Sequence, residues 1–169
     1  MSITLDLDAF VKGLREASNR TLGWVELRPP PIQVDEPTQP PEDWYPPYVM
    51  TVPALIESDK YRFDYESIRY ARFCYLIERD GIYEAGELQV IHDLEVIRNS
   101  SFSVPDISTF RVVSPITGNV GVDLTFIHDP ATTGTQPKFG LAFMITDALP
   151  AVFPKITLSY ITAFAPEGE

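Results

Sequence analysis

A chain of 169 residues that is 44% apolar, with ten Phe, eight Tyr and two Trp, can bury one full core and is short for two. Its net charge of −11, with only 13 Lys and Arg, argues against a nucleic-acid surface, because neutralising phosphates needs clustered cations. The acid excess is spread, with ten acids against five bases in residues 1–60 and fourteen against eight in the remainder, so it serves solubility and forms no acidic tail.

From Asp6 to about Ser18, Leu7, Phe10, Val11 and Leu14 recur at helical spacing, with Asp6 placed to cap the first turn. The pattern predicts a short amphipathic helix, too short to stand alone in water, whose apolar stripe must dock on protein. Residues 29–53 then hold nine of the sixteen prolines. Each proline lacks an N–H and biases its predecessor toward extended backbone, so this stretch predicts a polyproline-like arm. Ile32, Val34, Trp44, Tyr45, Tyr48 and Val49 supply it with apolar anchors. Residues 1–60 are therefore expected to form an assembly segment, helix plus arm, and residues 61–169 a folded body.

In the body the period changes to two. Phe73, Tyr75 and Ile77 alternate with Arg72, Leu76 and Glu78; Leu88 and Val90 follow, then Val122, Leu124 and Phe126, then Phe139, Leu141, Phe143 and Ile145, and finally Ile156, Leu158, Tyr160 and Phe164. Asp80-Gly81 is a hairpin signal, and Thr117-Gly118-Asn119, Thr132-Thr133-Gly134 and residues 147–154 read as loops. Several such strands without a helical crossover predict a mainly β fold, an antiparallel β-sandwich or jelly-roll-like domain. Residues 94–116 are open to two readings, an interrupted strand or a loop folded over the core.

Chemistry is sparse. The two histidines, His92 and His128, are each followed by an aspartate, Asp93 and Asp129, and two such doublets meeting in space would offer four metal ligands. Both doublets end a predicted strand, where polar residues begin a turn, so no metal and no cofactor is expected. Cys74, the only cysteine, excludes an intrachain disulfide, and with no base or orienting group in its neighbourhood it is expected to be a packed thiol. No nucleotide-binding, acyl-transfer or zinc-protease motif occurs. Glu84 with Glu87, or Asp64 with Glu66, would supply a carboxylate pair for glycoside hydrolysis, but 24 acids produce close pairs by chance. Tyr61, Tyr65 and Tyr70, beside Arg62, Arg69 and Arg72, would form a sugar-binding platform if they were exposed, and core or interface positions otherwise. No run approaches the roughly 20 apolar residues of a membrane helix, and MSITLDLDAF has acids where a signal peptide wants cations, so no membrane partner is expected. Asn19-Arg20-Thr21 and Asn99-Ser100-Ser101 fit the glycosylation pattern without a secretory signal to use it.

Four stretches carry a resemblance. They are Tyr75-x-Ile77-x-Arg79; Tyr83-x-x-Gly86-x-Leu88-x-Val90-Ile91-His92-Asp93; Val120-Gly121-Val122-x-Leu124-x-Phe126; and Lys155-Ile156-Thr157-Leu158-Ser159-Tyr160. Together, over residues 67–164, the chain resembles a β-domain of tailed-phage virion structural proteins. Arg79, Tyr83, Gly86 and Gly121 are its most specific positions: the Arg and Tyr flank one turn and would stack across it, and the glycines suit a bulge or close backbone contact. The segment between His92 and Val120 lacks the Thr-rich stretch of that family, and the proline arm lies outside the shared domain. The resemblance implies a non-enzymatic virion protein, made in the host cytoplasm. The expectation is a capsid cement or decoration protein that binds the major capsid protein or other virion proteins as a homo-oligomer, a trimer by preference. A tail, neck or fibre-adaptor subunit and a carbohydrate-binding host-recognition module are the alternatives. The expected interface anchors are Phe10, Leu14, Trp24, Trp44, Tyr45 and Tyr48, because buried aromatics dominate such contacts.

Overall fold

A computed structural model describes residues 21–30, 49–93, 104–132 and 137–164. The predicted helix and the anchors Phe10, Leu14, Trp44, Tyr45 and Tyr48 lie outside the described residues.

The organising element is the hairpin of β4 (Tyr70–Arg79) and β5 (Ile82–His92). Along β4 the period-two pattern turns Ala71, Phe73, Tyr75, Ile77 and Arg79 inward, all buried. Asp80 and Gly81 both adopt positive φ, 51° and 77°, the backbone that a tight two-residue hairpin requires. β9 (Lys155–Phe164) pairs with the other side of β4. β1 (Thr21–Glu26) extends the sheet beyond β9, and β6 (Ile107–Val113) extends it beyond β5, giving the antiparallel order β1-β9-β4-β5-β6. The described part of the open segment 94–116 thus contains an edge strand.

The second sheet is centred on β8 (Lys138–Ile145), with β7 (Val122–His128) along one side. On the other side β2 (Ala54–Leu55) pairs with Phe143 and Ala142, and β3 (Arg62–Asp64) with Gly140, Phe139 and Lys138, so these two short strands lie end to end along one edge. A single 3-10 turn, Asp59–Tyr61, joins them into β3. The two antiparallel sheets pack as a mainly β sandwich. Rings from both layers meet between them: Phe73 lies 5.5 Å from Phe63, 5.6 Å from Phe126 and 4.8 Å from Tyr160, measured between ring centroids.

Two parts of the segment expected to be an assembly arm belong to this body. β1 pairs with β9, β2 pairs with β8, and Leu27, Met50 and Ile56 are core residues. The physical reason is that the chain must still supply an edge strand and close the open side of the sandwich. The Tyr61 hydroxyl, buried there, donates to the carbonyl of Gly23 at 3.1 Å and ties β1 to the turn before β3.

On the opposite side, side chains of β6 cap two backbone groups of β7. The Thr109 hydroxyl accepts from the Phe126 N–H at 2.8 Å, and Arg111 donates to the Val122 carbonyl at 2.9 Å. Free ladder groups on an edge strand invite pairing with another chain, and these two contacts occupy two of those on β7.

Candidate functional site

At the hairpin end, Arg79 is 1% exposed and has no carboxylate partner among the ion pairs of the described residues. Its guanidinium donates instead to four backbone carbonyls: Val152 at 2.9 Å, Val120 at 2.9 Å, Asp147 at 2.8 Å and Pro150 at 2.8 Å. Burial lowers its pKa, and the nearby Asp147 opposes that. The planar fork of arginine reaches both the β7-leading segment and the β8–β9 loop, which a lysine point charge could not do at once. Gly121 in this knot has φ of 69°, and a Cβ there would lie 2.7 Å from the Asp147 Cβ. The stacking of Arg79 on Tyr83 expected from the sequence does not form: Arg79 points inward and Tyr83 is on the outer face, 55% exposed.

Beside the knot sits a second polar group. Glu84, buried, accepts from the Tyr75 hydroxyl at 3.1 Å, from Arg111 and from the Val120 N–H at 3.2 Å. Arg111 also donates to Tyr75 at 3.0 Å. Burial works against the Arg111 cation, but Tyr75 and Glu84 outweigh it and its pKa ends above the ordinary value. Gly86 permits this packing, since a Cβ there would fall 2.2 Å from the Val112 carbonyl oxygen and 2.8 Å from the Tyr75 ring. Arg111 and Tyr75 were not picked out as a pair from the sequence. The available signal was an arginine inside the otherwise uncharged strand ISTFRVV.

At the opposite end the two histidines do converge, on the ring of Tyr65. His92 meets it edge-on with centroids 4.9 Å apart, and His128 stacks at 5.8 Å with its Nδ1 2.8 Å from the Tyr65 hydroxyl. A ring lies where a metal would have to sit. Asp93 accepts from the Asp106 N–H, and Asp129 is paired with Arg62 and accepts from the Ala131 N–H. Among the described residues no group of three His, Cys, Asp or Glu is arranged to hold a metal ion.

Burial lowers the pKa of both His92 and His128, with Arg69 adding to the effect at His92 while Asp93 and Asp129 oppose it. A base whose folded pKa is depressed binds its proton more readily in the unfolded chain, so the stability it contributes is present above the ordinary histidine pKa and lost as pH falls through the folded value. The urea midpoint is therefore expected to fall as pH drops from 7.5 to 5. The drop should shrink in a His92→Gln/His128→Asn variant compared at the same pH values; an unchanged drop would place the acid sensitivity elsewhere.

The remaining sequence candidates separate. Glu84 faces the interior while Glu87 lies on the outer face, bonded to Arg72 at 2.6 Å, so they share no groove. Asp64 is half-buried and Glu66 exposed. Tyr61 and Tyr65 are wholly buried and cannot serve as an exposed platform, and Tyr70 is half-buried. Cys74, expected to be packed, is exposed, because the period-two pattern that buries Phe73 and Tyr75 turns it outward. An open groove of about 820 Å³ runs between the β1 and β2–β3 edges, with Arg28 stacked over Phe153 at 5.0 Å and the Arg62–Asp129 pair along its walls.

The outer face of the five-stranded sheet carries several exposed apolar side chains. Trp24, the expected anchor that can be placed, stands on it 65% exposed under Lys155, whose Nζ is 5.1 Å from the ring centroid. Leu76, Tyr83, Ile91, Phe110 and Val112 are exposed on the same face. In comparisons with known proteins, no family model matches the chain, and no curated protein and no solved structure matches it.

Proposed function

We propose that this chain is a non-enzymatic structural subunit of a tailed-phage particle, a capsid cement or decoration protein that acts by bridging neighbouring subunits. The observation that carries this reading is the broad outer sheet face with its exposed aromatic and aliphatic side chains. A face of this size and composition is suited to covering by protein. The polar interior supports the same reading: the hydrogen-bonding groups of Arg79, Glu84 and Asp129 are directed at backbone and neighbouring side chains, an arrangement that rigidifies loops. The resemblance over residues 67–164 supplies the virion setting, and the proline-rich stretch supplies a second contact, with Trp44, Tyr45 and Tyr48 as its anchors on the shell.

The test uses the full-length chain, tagged and imaged on particles made from the genome that encodes it. Label over the shell is the expected result, and the variant Trp44→Ala/Tyr45→Ala/Tyr48→Ala should lose at least nine-tenths of it. Label confined to the tail would move the subunit to the neck or fibre, and absence from purified particles would refute the virion role.

A further inference from the structure

We infer that the outer face of the five-stranded sheet is the contact between two copies of this chain, packed face to face about a two-fold axis that passes close to Cys74. The inference rests on the reading of the chain as an assembly subunit and names one of its partners.

The middle of β6, from Thr109 to Val112, reverses the usual pattern, although Ile107 at its start packs on the core. Its inward positions, opposite Leu88 and Val90, are Arg111 and Thr109, while Phe110 and Val112 point outward and are 61% and 49% exposed. A strand ordinarily turns its apolar side chains toward its own core. Here the two middle inward places are taken by side chains that cap backbone groups of β7, and Phe110 and Val112 are presented to another surface. Ile91, on the neighbouring strand β5, and Leu76 continue the apolar area.

Charge also favours this face. Two copies at −11 each repel, so they can meet only where the local charge is small. The strands of this face carry three carboxylates, Glu26, Glu78 and Glu87, against two cations, Arg72 and Lys155. The face therefore carries a local charge of only −1: Arg72 bonds Glu87 at 2.6 Å, Lys155 stands opposite both Glu26 and Glu78 in the strand register, and Glu26 is bonded by Arg28 at 2.7 Å from just beyond the strand. The area of the face is sufficient as well. Five strands spaced about 4.8 Å apart and about 30 Å long present roughly 700 Å², close to the roughly 800 Å² per partner of a standard stable interface.

The position of Cys74 makes the geometry testable. β4 is the middle strand of the five, and Cys74 is midway along it, flanked in register by Glu87 and Ser159. A two-fold axis through the middle of this face, whichever way it runs within the interface, brings the two Cys74 residues near each other. Packed sheets lie about 10 Å apart, too far for a direct disulfide, so a short bis-maleimide is the suitable probe. This arrangement is two-fold, in place of the three-fold one expected from the sequence.

The experiment uses the purified full-length chain at tens of micromolar. Sedimentation equilibrium is expected to give the mass of a dimer, and the bis-maleimide to convert most of it to a covalent dimer. Phe110→Glu and Val112→Glu, both at exposed positions, should each raise the dimer dissociation constant more than tenfold and abolish cross-linking. Ile116→Glu, 93% exposed and off the face, should change neither, and Cys74→Ser should keep the dimer and lose only the cross-link. A monomeric or trimeric mass, or a dimer that is indifferent to both face substitutions, overturns the inference. A monomer that still decorates particles would overturn it while leaving the structural-subunit reading intact; a dimer that joins no particle would do the reverse.

Discussion

Replacing Arg79 with methionine should destabilise the protein by about 4 kcal/mol, read as a lowered urea midpoint at unchanged slope. The guanidinium is the hydrogen-bond donor to the Val120, Asp147, Pro150 and Val152 carbonyls. A buried acceptor left without a partner costs about 1–3 kcal/mol. Four of them exceed what is recovered by no longer desolvating a cation, even though methionine fills much of the same volume. Removing the partner of buried polar groups is one of the few mechanisms that reaches effects of this size in a single substitution. Arg79→Lys separates charge from geometry: its one ammonium keeps the charge but reaches only some of the carbonyls, so about half the loss is expected. A methionine variant as stable as the parent would mean that the loops at this end contribute nothing to global stability. Equal losses for lysine and methionine would mean that the fork shape, and not the charge, decides.

The reason this knot was not legible in the sequence is that its acceptors are backbone atoms on distant loops, 41 to 73 residues from Arg79. No residue type announces a carbonyl. What could be read was the alternation, and β4, β5, β7 and β9 follow it because one of their faces meets the core, whereas β8, the central strand of its sheet, is buried along nearly its whole length. β1 was hidden by its own irregularity: a shift of register between Leu22 and Val25, around Gly23, breaks the period of two. β2 and β3, at two and three residues, are too short to show any period. β6 reverses the sign in its middle, with Phe110 and Val112 outward and Thr109 and Arg111 inward, while Ile107 still packs on the core, and hydrophobicity alone assigns such a mixed strand to the wrong face. Gly86 and Gly121 were legible as close-contact positions, since only a missing Cβ fits a gap of less than 3 Å. The histidine doublets were legible as candidates for meeting in space, and they do meet. The Tyr65 ring between them, supplied from the connection after β3, was the part that spacing could not reveal.

Removing residues 1–55, the whole of the expected arm together with β1 and β2, should leave a fragment that does not fold cooperatively. The loss is larger than any single substitution because it strikes both layers. β9 would lose β1 as a partner and become an exposed edge, and β8 would lose Ala54 and Leu55 from its second side. Leu27 and Met50, buried at 0% and 6%, would leave the core, and Leu22 and Val25, packed against it, would leave its margin. At about 2 kcal/mol for each fully buried aliphatic side chain, the side chains alone remove several kcal/mol. The lost backbone ladder and the anchor of the Tyr61 hydroxyl on Gly23 add to this. A domain of this size has a total stability of about 5–15 kcal/mol, so the remainder has little margin. Removing only residues 1–20 keeps every described strand, and that chain should show one sigmoidal urea transition and a native near-ultraviolet circular dichroism spectrum. The fragment 56–169 should show neither. If it does unfold cooperatively, then β1 is an appendage to a self-sufficient body, and the sandwich is complete without the strand that carries Trp24.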